Sequence, residues 1–184
     1  MRTGCSPGLT IDSVRAAAGL VGMTSCPGKQ RVSLSGAWSR DITGDVASIC
    51  TWGAMIVLCL MEENELRQLE VTDLPRIVRT AGLEWLHMPI VQGSIPGVNW
   101  EARWQEIAPR LHDALSAGAR ILAHCNGGLG RTGTVCARLL IELGADTDAA
   151  IRTVRAARPG AIENALQEDY IRQLHRSRRV RRAV

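Results

Sequence analysis

The run His124-Cys125-Asn126-Gly127-Gly128-Leu129-Gly130-Arg131-Thr132-Gly133 puts a cysteine and an arginine at the two ends of a turn in which three of the five intervening residues are glycine. An apolar segment, ARILA, leads into this turn, and a helix-like segment, TVCARLLIEL, leaves it. In a strand–loop–helix of this kind the glycines permit consecutive backbone N–H groups to line one concavity. The positive end of the following helix points into the same space. Such a loop suits one tetrahedral oxyanion, above all a phosphate. Asn126, Gly127, Gly128, Leu129 and Gly130 supply the amides, and Arg131 adds a planar, permanently charged fork.

Within that cradle Cys125 reads as a nucleophile, because thiolate is the reactive form and a helix N-terminus with a neighbouring cation favours it. Arg131 is placed to hold phosphate oxygens and the additional charge of a transition state. Thr132 is placed to donate a hydrogen bond to the sulfur when it leaves, and His124 to orient the loop through hydrogen bonds. Rival chemistries lack their residues. A nucleotide-binding GxxxxGK[ST] loop needs a lysine that GGLGRTGT does not have, and a zinc site needs more ligands at short spacing than His124 and Cys125. An inert glycine turn would have to bring Cys, Arg and three Gly together by coincidence.

Positioning this loop requires a layered α/β fold. AMIVLCL, LEWLHMPI and ARILA lack polar alternation, as strands buried on both faces do. Between them lie helical patterns: one through Val46, Ile49 and Trp52 capped by Asp41 or Thr43, one opening at Asp73-Leu74-Pro75, and one after Asn99 with Trp100, Trp104, Ile107, Leu111 and Leu115 on a face and a bend at Pro109. Beyond the loop, helices follow through Val135–Leu143, through Ile151 and Val154 after Asp146 or Thr147, and through Ile162, Leu166, Tyr170, Ile171 and Leu174. The alternation predicts a central, mostly parallel sheet flanked by helices. Residues 9–34 read instead as short β-prone pieces forming an N-terminal hairpin or meander, so that 1–50 is a β-rich portion of a single domain spanning 1–184.

Composition bounds the rest. Hydrophobic residues make up 46% and charged residues 22% of 184, ordinary for a soluble globular chain. With no Phe and one Tyr, the aliphatic residues and five Trp must fill the core. The net charge of +4 is concentrated in RSRRVRR, Arg176 to Arg182; residues 176–184 read as a solvated, frayed tail. No RNP-type or zinc-finger pattern argues for nucleic acid, and no apolar run approaches the length of a membrane helix. Six cysteines without a regular framework suit free thiols, and hence a cytoplasmic setting.

HCNGGLGRTG resembles the HCxxGxxR[ST] signature of the cysteine-dependent protein tyrosine phosphatase superfamily, and its GLGR run is most similar to the atypical dual-specificity branch of the kinase-associated type. RPGAIENALQ, Arg158 to Gln167, resembles a segment that follows the signature in that branch, and Pro89-Ile90 with its Gly/Pro loop resembles the segment that bears the general acid. The resemblance implies a phosphocysteine on Cys125, phosphate held by Arg131 and the loop amides, no metal or other cofactor, and a phosphorylated protein or small phosphomonoester as partner. It further implies that Gln167 or Asn164 positions the hydrolytic water.

One position departs from that pattern. The acid is expected three residues past Pro89, where Gln92 stands, and no Asp or Glu occurs between Leu86 and Trp100. A glutamine donates a hydrogen bond but cannot transfer a proton, and general acid catalysis is worth about 10²–10⁴-fold. Three readings stay open: Gln92 is an introduced substitution; the acid comes from Glu62, Glu63 or Glu65, whose loop follows a neighbouring strand; or the chain is a phospho-ligand binding module with little turnover. The loop between Cys125 and Arg131 carries no Lys or Arg, which disfavours highly charged inositol phosphates.

Overall fold

A computed structural model describes residues 8–33 and 36–182, with side chains except at 31–39 and 175–182. Strands β1 (Asp12–Ala16), β2 (Gly19–Ser25), β5 (Ile56–Cys59), β6 (Glu84–His87) and β7 (Arg120–Cys125) form a five-stranded sheet in the order β1-β2-β7-β5-β6. Only β1 against β2 is antiparallel; β2 with β7, β7 with β5 and β5 with β6 are parallel. The expected N-terminal hairpin is therefore real, but its second strand enters the main sheet. Strands β3 (Gln30–Ser33) and β4 (Gly36–Ser39) make a separate two-stranded ribbon.

Strand β7 lies between β2 and β5, and all four residues of β5 are buried, as the unbroken apolar run requires. In the register, Cys125 sits opposite Ser25 and His124 opposite Cys59. The cysteine thus emerges from the carboxyl end of the middle strand, where open α/β sheets place ligands.

Among the described residues seven helices surround the sheet: α1 (Ile42–Trp52), α2 (Glu63–Gln68), α3 (Leu74–Thr80), α4 (Val98–Ser116), α5 (Gly130–Glu142), α6 (Thr147–Ala157) and α7 (Ala165–Arg182). Asp41 caps α1 by accepting from the Thr43 and Gly44 amides, and Gly53 ends it at φ 84°. Asp146 caps α6 through the Ala149 amide. Asn99 is not a cap: α4 begins at Val98 with Gly97 as its N-cap, and the helix runs on through Pro109. Through the basic segment the backbone of α7 continues to Arg182, and residues 183–184 lie outside the described residues. Arginine favours helix, and no Gly or Pro interrupts the run. No helix among the described residues is long and apolar enough to cross a membrane.

Helix α5 is covered on every side; each residue from Gly130 to Ile141 is buried. Its polar residues must consequently find partners inside the protein. Arg138 does so with Glu101, Glu142 and Tyr170, beneath the stacked rings of Trp100 and Trp104, whose centroids are 4.8 Å apart. Those tryptophans are core residues, and so is Met88, whose carbonyl accepts from Trp100 Nε1.

Candidate active site

The turn between β7 and α5 is held open by its carbonyls. Asn126 O accepts from the Cys26 amide, Gly127 O from Arg158 Nη2, Leu129 O from the Gly133 and Ile162 amides, and Gly130 O from Thr134 Oγ1. In a trans peptide the next N–H points opposite to the carbonyl. Anchoring these oxygens outward therefore turns the amides of Gly127, Gly128, Gly130 and Arg131 toward the concave side. One of them already has an acceptor there: Gly128 N lies 3.2 Å from Cys125 Sγ.

Gly128 is glycine for two reasons. Its φ is +72°, and a Cβ would stand 2.3 Å from Thr24 O. Gly133 is equally confined, with the Ala161 Cβ and Ile162 N each 2.9 Å from an added Cβ, so the start of α5 packs directly on the segment before α7.

Arg131 is aimed by four acceptor contacts. Nη1 donates to Glu65 Oε2 at 2.6 Å, Ile90 O at 2.9 Å and Leu60 O at 3.2 Å, while Nη2 donates to Glu65 Oε1 at 2.7 Å. None of these uses Nε. Burial works against the Glu65 carboxylate, but the Arg131 and Glu62 hydrogen bonds outweigh it and hold the group below its ordinary pKa.

Glu65 is thus not a proton donor. It is the anion that fixes the arginine, a role that the sequence left unseen because the partners lie 66 positions apart. Nor do the other two glutamates approach the loop in any described contact. The Glu62 amide donates to Glu65 Oε2, and Glu62 and Glu63 line a groove of about 400 Å³ with His87, Pro89, Val91 and Arg103.

His124 is expected from the sequence to orient the loop, and the adjoining Cys125 backbone is the only part of the loop that its ring feels through a hydrogen-bond interaction among the described residues. Both ring nitrogens are buried with no well-aligned hydrogen bond among the described residues, and the ring packs on Trp85 at 5.7 Å between centroids. Burial pushes its pKa down to about 3, opposed by the adjoining Cys125 backbone and reinforced by Arg131 and His87. It is a neutral core residue. Thr132 Oγ1 is buried and has no hydrogen-bond partner; the contact made to the sulfur comes from the Gly128 amide instead.

The other thiols near the sheet are inert by burial, which pushes Cys59 and Cys136 up to about 12 and raises Cys26 as well.

The loop carrying Gln92 lies against the turn that precedes α7. Gln92 is exposed, Asn164 Nδ2 donates to Gly93 O, and Gln167 Nε2 donates to Ser94 O. Both amide side chains are otherwise engaged as well, since Asn164 Oδ1 accepts from the Gln167 amide and Gln167 Oε1 from the Glu163 amide. These bonds hold the two loops together. Sequence reasoning missed Glu163, whose Oε2 would lie 2.2 Å from a Cβ on Gly130.

Residues 35–145 match a family model described as a polymorphic toxin system DSP-PTPase phosphatase. Human cyclin-dependent kinase inhibitor 3 is 30% identical over 138 residues, 73% of this chain and 63% of that protein, and the pig protein is 32% identical over the same coverage. The chain therefore spans about 63% of the length of the curated relatives it matches. A crystal structure of the kinase-associated phosphatase, with serine replacing its catalytic-site cysteine, superposes with a TM-score of 0.81 at 23% identity, over 94% of this chain and 97% of that one. Human DUSP28 superposes at 0.63 and 17% identity, over 97% and 99% of the two chains. These likenesses extend to the sheet and its flanking helices.

Proposed function

Starting from the chain's membership of the DSP-PTPase phosphatase family, we propose that it hydrolyses phosphomonoesters of proteins, phosphotyrosine and phosphoserine/threonine alike, through a phosphocysteine on Cys125. The observation that carries this reading is the pairing of Cys125, whose sulfur accepts from Gly128 N, with an Arg131 locked by Glu65 at the far end of the same loop. The sulfur attacks phosphorus, the ester oxygen leaves with a proton, and water then displaces the sulfur. Arg131 and the inward amides stabilise the charge of both transition states. Absence of further cations from residues 126–130 favours a single phosphate group over a polyphosphorylated lipid head. A cytoplasmic, reducing setting belongs to the proposal; the free Cys26, Cys50, Cys59, Cys125 and Cys136 support it.

A second reading, a phospho-ligand binding module with little turnover, is favoured by the exposed Gln92 at the expected acid position. Hydrolysis of p-nitrophenyl phosphate and phosphopeptide binding, measured on the parent chain and on Cys125→Ser, separate the two. Turnover by the parent that Cys125→Ser abolishes is the expected result. Binding by both proteins with turnover by neither would establish the module.

A further inference from the structure

We propose that Glu163 is the carboxylate that transfers the proton in this site, in place of the aspartate that Gln92 displaces; the inference rests on the phosphatase reading above. In-line displacement puts the leaving oxygen, and later the attacking water, at one apical position opposite the sulfur. A proton-carrying group must reach that position, and residues 86–100 contain no carboxylate. Glu65 is committed to Arg131 through both oxygens, and Glu62 and Glu63 line a separate groove.

Glu163 lies against the loop itself. A Cβ on Gly130, the loop residue immediately before Arg131, would meet Glu163 Oε2 at 2.2 Å and the Gln167 amide group at 2.8 and 3.0 Å. The absent side chain at Gly130 leaves the space into which the carboxylate reaches. The Glu163 side chain is exposed, and among the described residues its carboxylate has no hydrogen-bond partner. It is an acid beside the last residue before Arg131, and no described side chain ties it down.

The backbone puts it there at some cost. Ile162 has φ +59°, a left-handed conformation that is a true outlier for a β-branched residue. Surrounding contacts hold that turn. Arg155 donates to Ala161 O and Ile162 O, the Ile162 amide donates to Leu129 O in the phosphate loop, and the Glu163 amide donates to the fully buried Gln167. Gln167 and Asn164 then bind the loop that bears Gln92. The strained turn is therefore fastened to both loops of the site, with Glu163 between them.

The chemistry balances with this one group. In the first step the S–P bond forms, the P–O ester bond breaks, and the Glu163 carboxyl proton goes to the departing oxygen. In the second step the Glu163 carboxylate takes a proton from water as the new O–P bond forms. The S–P bond breaks, the sulfur leaves as thiolate, and the carboxyl is protonated for the next cycle.

Turnover of p-nitrophenyl phosphate and phenyl phosphate by the parent chain, Glu163→Gln, Gln92→Asp and the double variant tests this assignment. Glu163→Gln is expected to lose about 10²–10⁴-fold in kcat, with the larger loss on phenyl phosphate, whose leaving group needs the proton more. Gln92→Asp placed in that background is expected to restore activity, a rescue that a merely structural role for Glu163 does not allow. Three results overturn the assignment: Glu163→Gln within about twofold of the parent on both esters, a gain of about 10²-fold from Gln92→Asp alone, or a parent without turnover. Only the last also removes the phosphatase reading; the first two leave Cys125-dependent hydrolysis standing.

Discussion

Glu65 grips Arg131 end-on, with Oε2 at 2.6 Å from Nη1 and Oε1 at 2.7 Å from Nη2, in a pair that is almost wholly buried. Fork-to-fork geometry fixes the guanidinium plane as well as its position. The pair joins the first turn of α2 to the first turn of α5, so the Arg131 guanidinium is set by an element outside its own loop.

Removing one partner leaves the other charge buried and unpaired. Glu65→Ala is expected to destabilise the fold by about 3–5 kcal/mol, and Glu65→Gln, which keeps one acceptor, by less. Urea unfolding measures both. In the Gln variant that remains folded, phosphate or vanadate affinity is expected to fall because Arg131 is no longer held in one plane. Unchanged oxyanion affinity would show that Leu60 O and Ile90 O suffice to aim it.

Gly128→Ala is expected to disrupt the loop from the inside. Holding alanine at a φ of +72° costs about 1–2 kcal/mol, and its Cβ would press on the backbone of Thr24 and Ser25, which cannot yield as a side-chain tip can. The combined loss exceeds about 2 kcal/mol and carries oxyanion binding with it. Wild-type stability and activity in this variant would mean that the loop has another accessible conformation.

Much of this arrangement can be read from the chain because it is local. ARILA followed by HCNGGLGRTG marks the buried strand, its exit and the helix that follows, and the proposed nucleophile and clamp lie within that one segment. Glu65 stands out in the sequence only as a possible proton donor, because its ion-pair partner Arg131 lies 66 positions away, and Glu163 escapes notice altogether because nothing near it in sequence distinguishes it from a surface glutamate. Asn99 misled for the opposite reason. Its type is right for a cap, but the chain had already entered α4 at Val98, with Gly97 at the cap position. The arginines of 176–182 read as a solvated terminus by charge, and the backbone there extends α7.

Thr132 carries a buried hydroxyl with no hydrogen-bond partner among the described residues. Thr132→Val keeps the shape and removes a group that contributes no bond, so stability is expected to stay within about 0.5 kcal/mol or to rise. If the hydroxyl bonds the sulfur only as it leaves, phosphocysteine hydrolysis slows about tenfold, the equivalent of one hydrogen bond near 1.4 kcal/mol. Rapid-quench burst kinetics with p-nitrophenyl phosphate detect this as an accumulated phosphoenzyme. An unchanged second step removes Thr132 from the chemistry.

His124 links acidity to stability in a direction its burial dictates. Its folded pKa is about 3 against an ordinary value of 6.5. Between those values the unfolded chain takes up a proton that the folded one refuses, so stability is full above pH 6.5 and falls as the pH drops through that window. The loss is roughly 2 kcal/mol at pH 5. Glu65, held as an anion below its ordinary pKa, adds a loss of the same sign, but only below its unfolded pKa of about 4.5. Urea unfolding at pH 7 and pH 5 therefore isolates the histidine. His124→Phe, which keeps an aromatic ring against Trp85, is expected to abolish most of the difference between the two pH values. A parent protein equally stable at both would mean that His124 is protonated inside the fold, with a counter-charge or a water supplying the partner its two nitrogens lack.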